Sequence, residues 1–131
     1  MNAPQDLPDE APFTVWMGVV LLSQQPGEVR LQLASRPDLT NRRGVVHGGV
    51  LATLMDSAMA RAARTLEDGM ALGGTIDLHV QYMQPAEGLI TATGCILSST
   101  RSLAFCRADV HNDAGVLCAT ALATMRLRRA G

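Results

Sequence analysis

Residues 49–66 form the segment that most constrains the fold, because they contain neither proline nor an internal glycine and are rich in good helix formers. Gly69 follows shortly afterwards and supplies a helix stop, so the segment is predicted to be a single helix. Over about its first three turns this helix is apolar on nearly every face rather than along one stripe. Such a helix must be buried on all sides, which predicts that it lies at the centre of the fold.

Strand-forming segments surround the helix, two before it and four after it, and short turns rich in Gly, Pro, Asn, Asp or Ser join them. Short connections between successive strands predict antiparallel neighbours. The expected architecture is therefore α+β, a long central helix wrapped by an antiparallel sheet of about five to six strands. The predicted strands are residues 17–23, 28–34, 71–83, 89–97, 103–111 and 116–127.

The chain is predicted to hold one domain, residues 13–131, after a disordered tail, residues 1–12, which is rich in proline and acidic residues. One sheet of this size covers only one flank of the helix, so we expect at least a homodimer. The apolar run 15–22 is too short to span a bilayer and has no basic residues before it, which argues against an anchor or signal peptide. Cysteines that are odd in number and widely spaced indicate reduced thiols, and we expect a cytoplasmic protein.

Composition excludes several classes of function. A net charge of −1 and a pI near 6.3 provide no broad basic surface, so a general nucleic-acid binder is not expected. All the basic residues are arginines, and a chain without lysine cannot perform Schiff-base or P-loop lysine chemistry. Aromatic residues make up only 3% of a chain that is 47% hydrophobic, which predicts an aliphatic core of small side chains.

Asp56 stands out because it lies in the middle of the apolar helix, where an unpaired charge would cost several kcal/mol. It either pairs with an arginine or caps a neighbouring turn, or it has a functional role. At the start of the helix, His47, Gly48 and Gly49 bring unsatisfied backbone amides to the positive end of the helix dipole. Such a terminus can form an oxyanion hole, or it can simply be a tight turn with His47 as a polar flank.

The spacing of these residues decides how they could act together. Asp56 is eight positions beyond Gly48, roughly 12 Å along the helix axis, so both cannot contact one carbonyl group from the same helix. If two such helices pack antiparallel in a dimer, Asp56 of one protomer can face the Gly48 amide of the other. Dimerisation would then be a condition of activity.

Three segments carry a family resemblance: residues 41–49 (NRRGVVHGG), 54–56 (LMD) and 74–86 (GTIDLHVQYMQPA). In this order they resemble hotdog-fold acyl-CoA thioesterases of the phenylacetic-acid-degradation (PaaI) type, over roughly residues 13–128. The resemblance implies a hotdog fold and the hydrolysis of acyl-CoA or aryl-acyl-CoA thioesters to free acid and coenzyme A. It also implies a homodimer or a homotetramer made of two dimers, with no metal and no cofactor beyond the coenzyme A of the substrate.

The same resemblance implies a role for each site residue. Asp56 would be the general base or nucleophile, and the Gly48 amide would hold the oxyanion. Asn41 would position or polarise the thioester, His47 would orient the loop, and Thr75 would orient the attacking water.

Arg101 lies where relatives often contact coenzyme A, although it is equally a plain turn residue. Asp77 and His79 are interpreted as a solvated strand face. The competing function is a non-catalytic acyl-CoA binding or sensing module, against which Asp56, Asn41 and Thr75 argue. A hotdog dehydratase is a third option, which the pattern of the helix carboxylate fits less well.

Overall fold

A computed structural model describes residues 11–66 and 71–128, apart from the side chains at positions 71 and 72. The predicted helix stop at Gly69 lies outside the described residues. The elements in chain order are α1 (Pro12–Met17), β1 (Val20–Gln25), β2 (Glu28–Ala34), a short 3-10 turn (Pro37–Leu39), α2 (Gly48–Arg64), β3 (Ala71–Tyr82), β4 (Leu89–Ser99), β5 (Leu103–Asn112) and β6 (Leu117–Arg128).

The six strands form one antiparallel sheet in the order β1-β2-β4-β5-β6-β3, and α2 packs against strands β2 to β6. This arrangement confirms the predicted α+β architecture of one long helix against an antiparallel sheet. The strands β2, β5 and β6 alternate buried and more exposed side chains, because successive residues of a strand point to opposite faces. Their buried faces meet α2 in the aliphatic core that the composition predicted.

A close approach of β4 to α2 depends on Gly94, where an added Cβ would lie 2.5 Å from the carbonyl carbon of Ala58. Small residues at this crossing allow the helix to lie directly on the middle of the sheet. Within one protomer the sheet covers only one flank of α2, as expected, and burial of the helix on all sides would need the partner that the sequence predicts. One stripe is buried, namely Leu51, Leu54, Met55, Ala58, Met59, Ala62 and Ala63, whereas the other face is only partly covered.

The start of the chain also differs from the prediction. A strand was expected over residues 17–23, but α1 ends at Met17 and β1 begins at Val20. Pro12 opens this helix, and Gly18, with φ 90°, closes it in a left-handed conformation that glycine adopts without strain. The apolar run that looked like the beginning of a strand is therefore divided between a helix and a strand. Pro12, assigned to the tail by sequence, belongs to α1, and residues 1–10 of that tail lie outside the described residues.

The sheet has two edge strands, β1 and β3. β3 is the longer one, with 12 residues against 6 in β1, and its side chains from Gly74 to His79 are exposed. They include the apolar side chains of Ile76 and Leu78. Among the described residues, no helix is long and apolar enough to cross a membrane.

Candidate active site

The N-terminus of α2 is organised by His47, which is its N-cap residue. The Nδ1 atom of His47 accepts a hydrogen bond of 2.8 Å from the Gly49 amide, and its carbonyl accepts from the amides of Val50 and Leu51. The first amide of the helix, that of Gly48, has no acceptor within the helix, as geometry requires for every helix start. His47 therefore accepts the hydrogen bonds of the three amides that follow Gly48, while the Gly48 N–H keeps its capacity to donate one.

Tyr82 packs directly on Gly48 from the end of β3. Its hydroxyl donates a hydrogen bond of 2.8 Å to the Gly48 carbonyl, and a Cβ added at Gly48 would meet its ring at 3.2 Å. Sequence reasoning did not assign Tyr82 to the site. Tyr82 and Pro85 belong to the third motif segment, so the sequence contained a signal for this residue. The motif does not show, however, that the tyrosine contacts Gly48.

Asn41 is held in the loop that precedes α2. Its Oδ1 accepts a hydrogen bond of 2.9 Å from the Arg43 amide, and the Asn41 backbone closes a turn with Val45 and with Gly44, whose φ is 81°. Because the side-chain oxygen is occupied by the loop, the side-chain NH₂ is the group that Asn41 offers to a ligand. A donor at this place could polarise a carbonyl oxygen.

Asn41 and Gly48 line one cavity of about 380 Å³ at the N-terminal end of α2. Polar and apolar side chains both contribute to its wall, which suits a ligand with a polar head and an apolar portion. The other lining residues are Arg43, Val45, Val46, Leu51, Tyr82, Met83, Gln84, Pro85 and Ala86.

Asp56 lies elsewhere, on the partly covered face of α2. One of its carboxylate oxygens accepts a hydrogen bond of 2.7 Å from the Thr75 hydroxyl, and the Thr75 oxygen also lies 3.3 Å from the sulfur of Met125. The sequence offered an arginine pair or a cap as the alternative to a functional role, but the partner in the structure is a hydroxyl. A carboxylate with one oxygen engaged retains the lone pairs of the other oxygen to accept a proton or to attack a carbonyl.

The predicted site residues thus form two groups within one protomer. Asn41, His47 and Gly48 lie at the entrance of α2, whereas Asp56 and Thr75 lie near its middle. Neither member of the second group lines the cavity. Gly48 and Asp56 both belong to the continuous helix α2, in which eight positions correspond to roughly 12 Å along the axis.

The remaining candidates have other positions. Arg101 is an exposed residue of the turn between β4 and β5 and is not among the residues that line the cavity. His79 and Asp77 are exposed on β3, as expected for a solvated face. Asp77 makes one contact in addition, because its Oδ1 accepts a hydrogen bond of 3.0 Å from the Thr124 amide.

The three thiols, those of Cys95, Cys106 and Cys118, are free. Burial is the main cause that raises the pKa of Cys106 to about 11, and burial also raises the pKa values of Cys95 and Cys118 above the usual range. Neutral thiols are poor nucleophiles, since the thiolate is the reactive form. Among the residues that the structure describes, no group of three or more His, Cys, Asp or Glu is placed to hold a metal ion.

The sequence of this chain is similar to those of known thioesterases. Residues 43–119 match the family model described as the thioesterase superfamily. Human acyl-coenzyme A thioesterase 13 is 35% identical over an alignment 98 positions long, which covers 73% of this chain and 69% of that protein. The medium/long-chain acyl-CoA thioesterase YigI of Escherichia coli is 29% identical over an alignment 129 positions long, which covers 86% of this chain and 83% of that protein.

A solved structure supports the same assignment. A mutant of the phenylacetic acid degradation protein PaaI from Thermus thermophilus superposes with a TM-score of 0.81 at 27% identity, over 92% of this chain and 100% of that chain. The similarity extends over the six-stranded sheet and its long helix, so the hotdog fold implied by the sequence motifs is confirmed.

Proposed function

This chain belongs to the thioesterase superfamily and is an acyl-CoA thioesterase, and we propose that it hydrolyses its substrates at two composite sites of a homodimer. Each site would combine Asp56 and Thr75 of one protomer with the partner's Asn41 and Gly48. The products are the free acid and coenzyme A.

The observation that carries this proposal is the position of both groups on one open edge strand. Near one end of β3, Thr75 contacts Asp56, and at its other end Tyr82 contacts Gly48. The two contacts are seven positions apart, roughly 23 Å along a strand, which is too far for one small reacting group. A two-fold pairing of β3 with its copy is antiparallel and brings the Thr75 end of one strand beside the Tyr82 end of the other. That pairing would assemble the two groups into complete sites.

The exposed edge strand β3 itself favours pairing with a second copy of the chain. A long strand with unpaired N–H and C=O groups and exposed apolar side chains is a template for association with another chain. Ala52, Ser57 and Ala60, on the partly covered face of α2 around Asp56, are small enough to permit the close approach of a second copy. A dimer of dimers, the homotetramer implied by the sequence resemblance, would be a further association of this unit.

The chemistry follows from what each group can donate or accept. The Gly48 N–H and the Asn41 side-chain NH₂ would bind the thioester carbonyl oxygen and stabilise the negative charge that develops on it. His47 would keep the helix entrance in the geometry that directs the Gly48 amide outwards. These donors are held before the substrate arrives, so little reorganisation is needed during the reaction.

Asp56 would supply the attack on the carbonyl carbon. As a general base it takes a proton from water while the water oxygen forms the new C–O bond; as a nucleophile its own oxygen forms an anhydride that water then opens. In both cases the C–S bond breaks and coenzyme A leaves as a thiolate, a good leaving group that needs no strong acid. Thr75 would orient the carboxylate or the water, Arg101 would contact a coenzyme A phosphate, and no metal or organic cofactor takes part.

The decisive experiment pairs two inactive variants in one dimer. Asp56→Ala removes the base, and Gly48→Pro removes the oxyanion donor at the first position of a helix, where proline is well tolerated. The two chains are co-expressed with different tags, purified as a heterodimer, and assayed for thiol release from a panel of acyl-CoA esters with a thiol-reactive dye. Each heterodimer contains one site with an intact Asp56 and an intact partner's Gly48.

Composite sites predict that the heterodimer has about half of the parent kcat per dimer, while both homodimers are inactive, because one of two symmetric sites is restored. Sites formed within single protomers would leave the heterodimer inactive. Binding of acyl-CoA by the parent protein without any thiol release across the panel would instead support the non-catalytic binding module.

A further inference from the structure

Thr75 is flanked by two irregularities of the ladder between β3 and β6. The register shifts between Leu72 and Gly74 and again between Thr75 and Asp77. Gly74 has a φ of 110°, a conformation that residues with a Cβ rarely adopt. Bulges of this kind bend a strand and change the direction of a side chain. Between them, the Thr75 hydroxyl reaches Asp56 at 2.7 Å.

Asp77 closes the second irregularity with its side chain. Thr124 lies opposite Asp77 in the ladder, and its backbone N–H donates a hydrogen bond of 3.0 Å to the Asp77 Oδ1. A bulge disturbs the backbone pairing at the point where the extra residue is inserted, and backbone groups there lose their regular partners in the ladder. The carboxylate supplies an acceptor at this point and ties β3 to β6 beside Thr75.

We propose that Asp77 is a positioning residue for hydrolysis, because its carboxylate holds the bulge that directs the Thr75 hydroxyl to Asp56. This inference rests on the proposed function, in which Thr75 and Asp56 act together. Asp77 needs no contact with the substrate, since it works through two residues of backbone. What matters is a side-chain oxygen at the correct distance from the Thr124 amide, and not the negative charge.

Three substitutions separate the position of that oxygen from its charge. Asp77→Asn keeps an oxygen acceptor at the same place without the charge, Asp77→Glu keeps the charge but displaces the oxygen, and Asp77→Ala removes both. We expect kcat near the parent value for Asp77→Asn, an intermediate loss for Asp77→Glu, and about a 10-fold loss for Asp77→Ala. KM should change little, because the group that is displaced acts on the reaction and not on the binding of the substrate.

The matched control is Asp109→Ala on β5. Its carboxylate also accepts a hydrogen bond within the sheet, of 2.6 Å from the Thr120 hydroxyl, and it has no part in the site. This variant should keep the parent kcat. Parent kcat in this variant would show that the loss of a hydrogen-bonded strand carboxylate does not by itself lower the activity.

A double-mutant cycle tests whether Asp77 acts through Thr75. In a Thr75→Ala background the hydroxyl that Asp77 positions is absent, so Asp77→Ala should lower kcat no further. An equal fold-loss of kcat in both backgrounds would overturn the proposal. So would a fall of kcat in Asp77→Asn together with parent activity in Asp77→Glu, since the charge would then be responsible.

Amide hydrogen exchange provides a readout that does not depend on activity. The Thr124 amide should exchange at the parent rate in Asp77→Asn and several-fold faster in Asp77→Ala. Should Asp77→Ala fail to fold in a thermal melt, the order of Asp77→Asn over Asp77→Glu decides the same question. A parent protein that releases no thiol would overturn the proposed function, whereas an active parent with unchanged Asp77 variants would overturn only this inference.

Discussion

The entrance and the middle of α2 use the same helix in opposite ways. In the proposed mechanism, backbone groups carry the chemistry at the entrance: the Gly48 amide is the donor, and His47 and Tyr82 hold its surroundings through their hydrogen bonds. In the middle, a side chain carries it, because the amides there are consumed by the helix and only Asp56 can present a charge. The helix therefore supplies a donor where its hydrogen bonding begins and a base where its hydrogen bonding is complete. One helix cannot bring both groups to one carbonyl group, which is why we propose that the site is completed in a dimer.

The largest loss of kcat is expected from a substitution of Asp56 in the middle of α2. Asp56→Asn keeps the size of the side chain and an oxygen that can accept from Thr75, but it removes the basic carboxylate. We expect kcat for acyl-CoA hydrolysis to fall about 10³-fold, a typical contribution of a general base, while the melting temperature stays at or above the parent value. Asp109→Asn is the control. Parent-like turnover by Asp56→Asn would remove Asp56 from the mechanism, and a collapse of the melting temperature would make its role structural.

At the entrance of α2, the expected loss of kcat depends on whether the backbone N–H of Gly48 is present. Gly48→Pro and Gly48→Ala both add a Cβ that meets the Tyr82 ring, at 3.2 Å before relaxation, but only proline removes the N–H. His47, with φ −59° and ψ 137°, already has the extended conformation that a following proline requires. We expect Gly48→Pro to lose about 10²- to 10³-fold in kcat and Gly48→Ala much less. Equal losses in the two variants would mean that steric contact with Tyr82 matters and the amide does not.

Local signals in the sequence locate most of the elements that carry the two groups of site residues. Periodicity and turn chemistry located α2 and the long strands because those signals are local: β2 was placed at Glu28–Ala34 without error. The motif residues of both groups were also found from the sequence. The start of the chain was not, because the apolar run 15–22 contains no local signal for a helix end except Gly18.

The tertiary contacts could not be predicted from the sequence, and the reason is physical. The hydrogen bonds from Tyr82 to Gly48 and from Thr124 to Asp77 join residues far apart in the chain, and they depend on the sheet register and its bulges. An alternating pattern predicts which side of a strand a residue faces, but an inserted residue changes that side without a distinct sequence signal. Asp77 is exposed as the pattern predicted, but its hydrogen bond to the Thr124 amide could not be predicted from that pattern.

The smallest effect is expected for Tyr82→Phe, which changes the support of the entrance and leaves the middle of the helix intact. The ring still packs on Gly48, and only the hydroxyl that donates to the Gly48 carbonyl is lost. A hydrogen bond of this kind contributes about 1 kcal/mol, so kcat should fall about fivefold. The pH profile of kcat/KM should keep its parent shape, because Asp56 and its contact with Thr75 are unchanged. A loss of kcat above about a hundredfold, together with a changed basic limb of that profile, would instead make Tyr82 the acid that protonates the leaving thiolate. Residues at both ends of β3 would then take part in proton transfer.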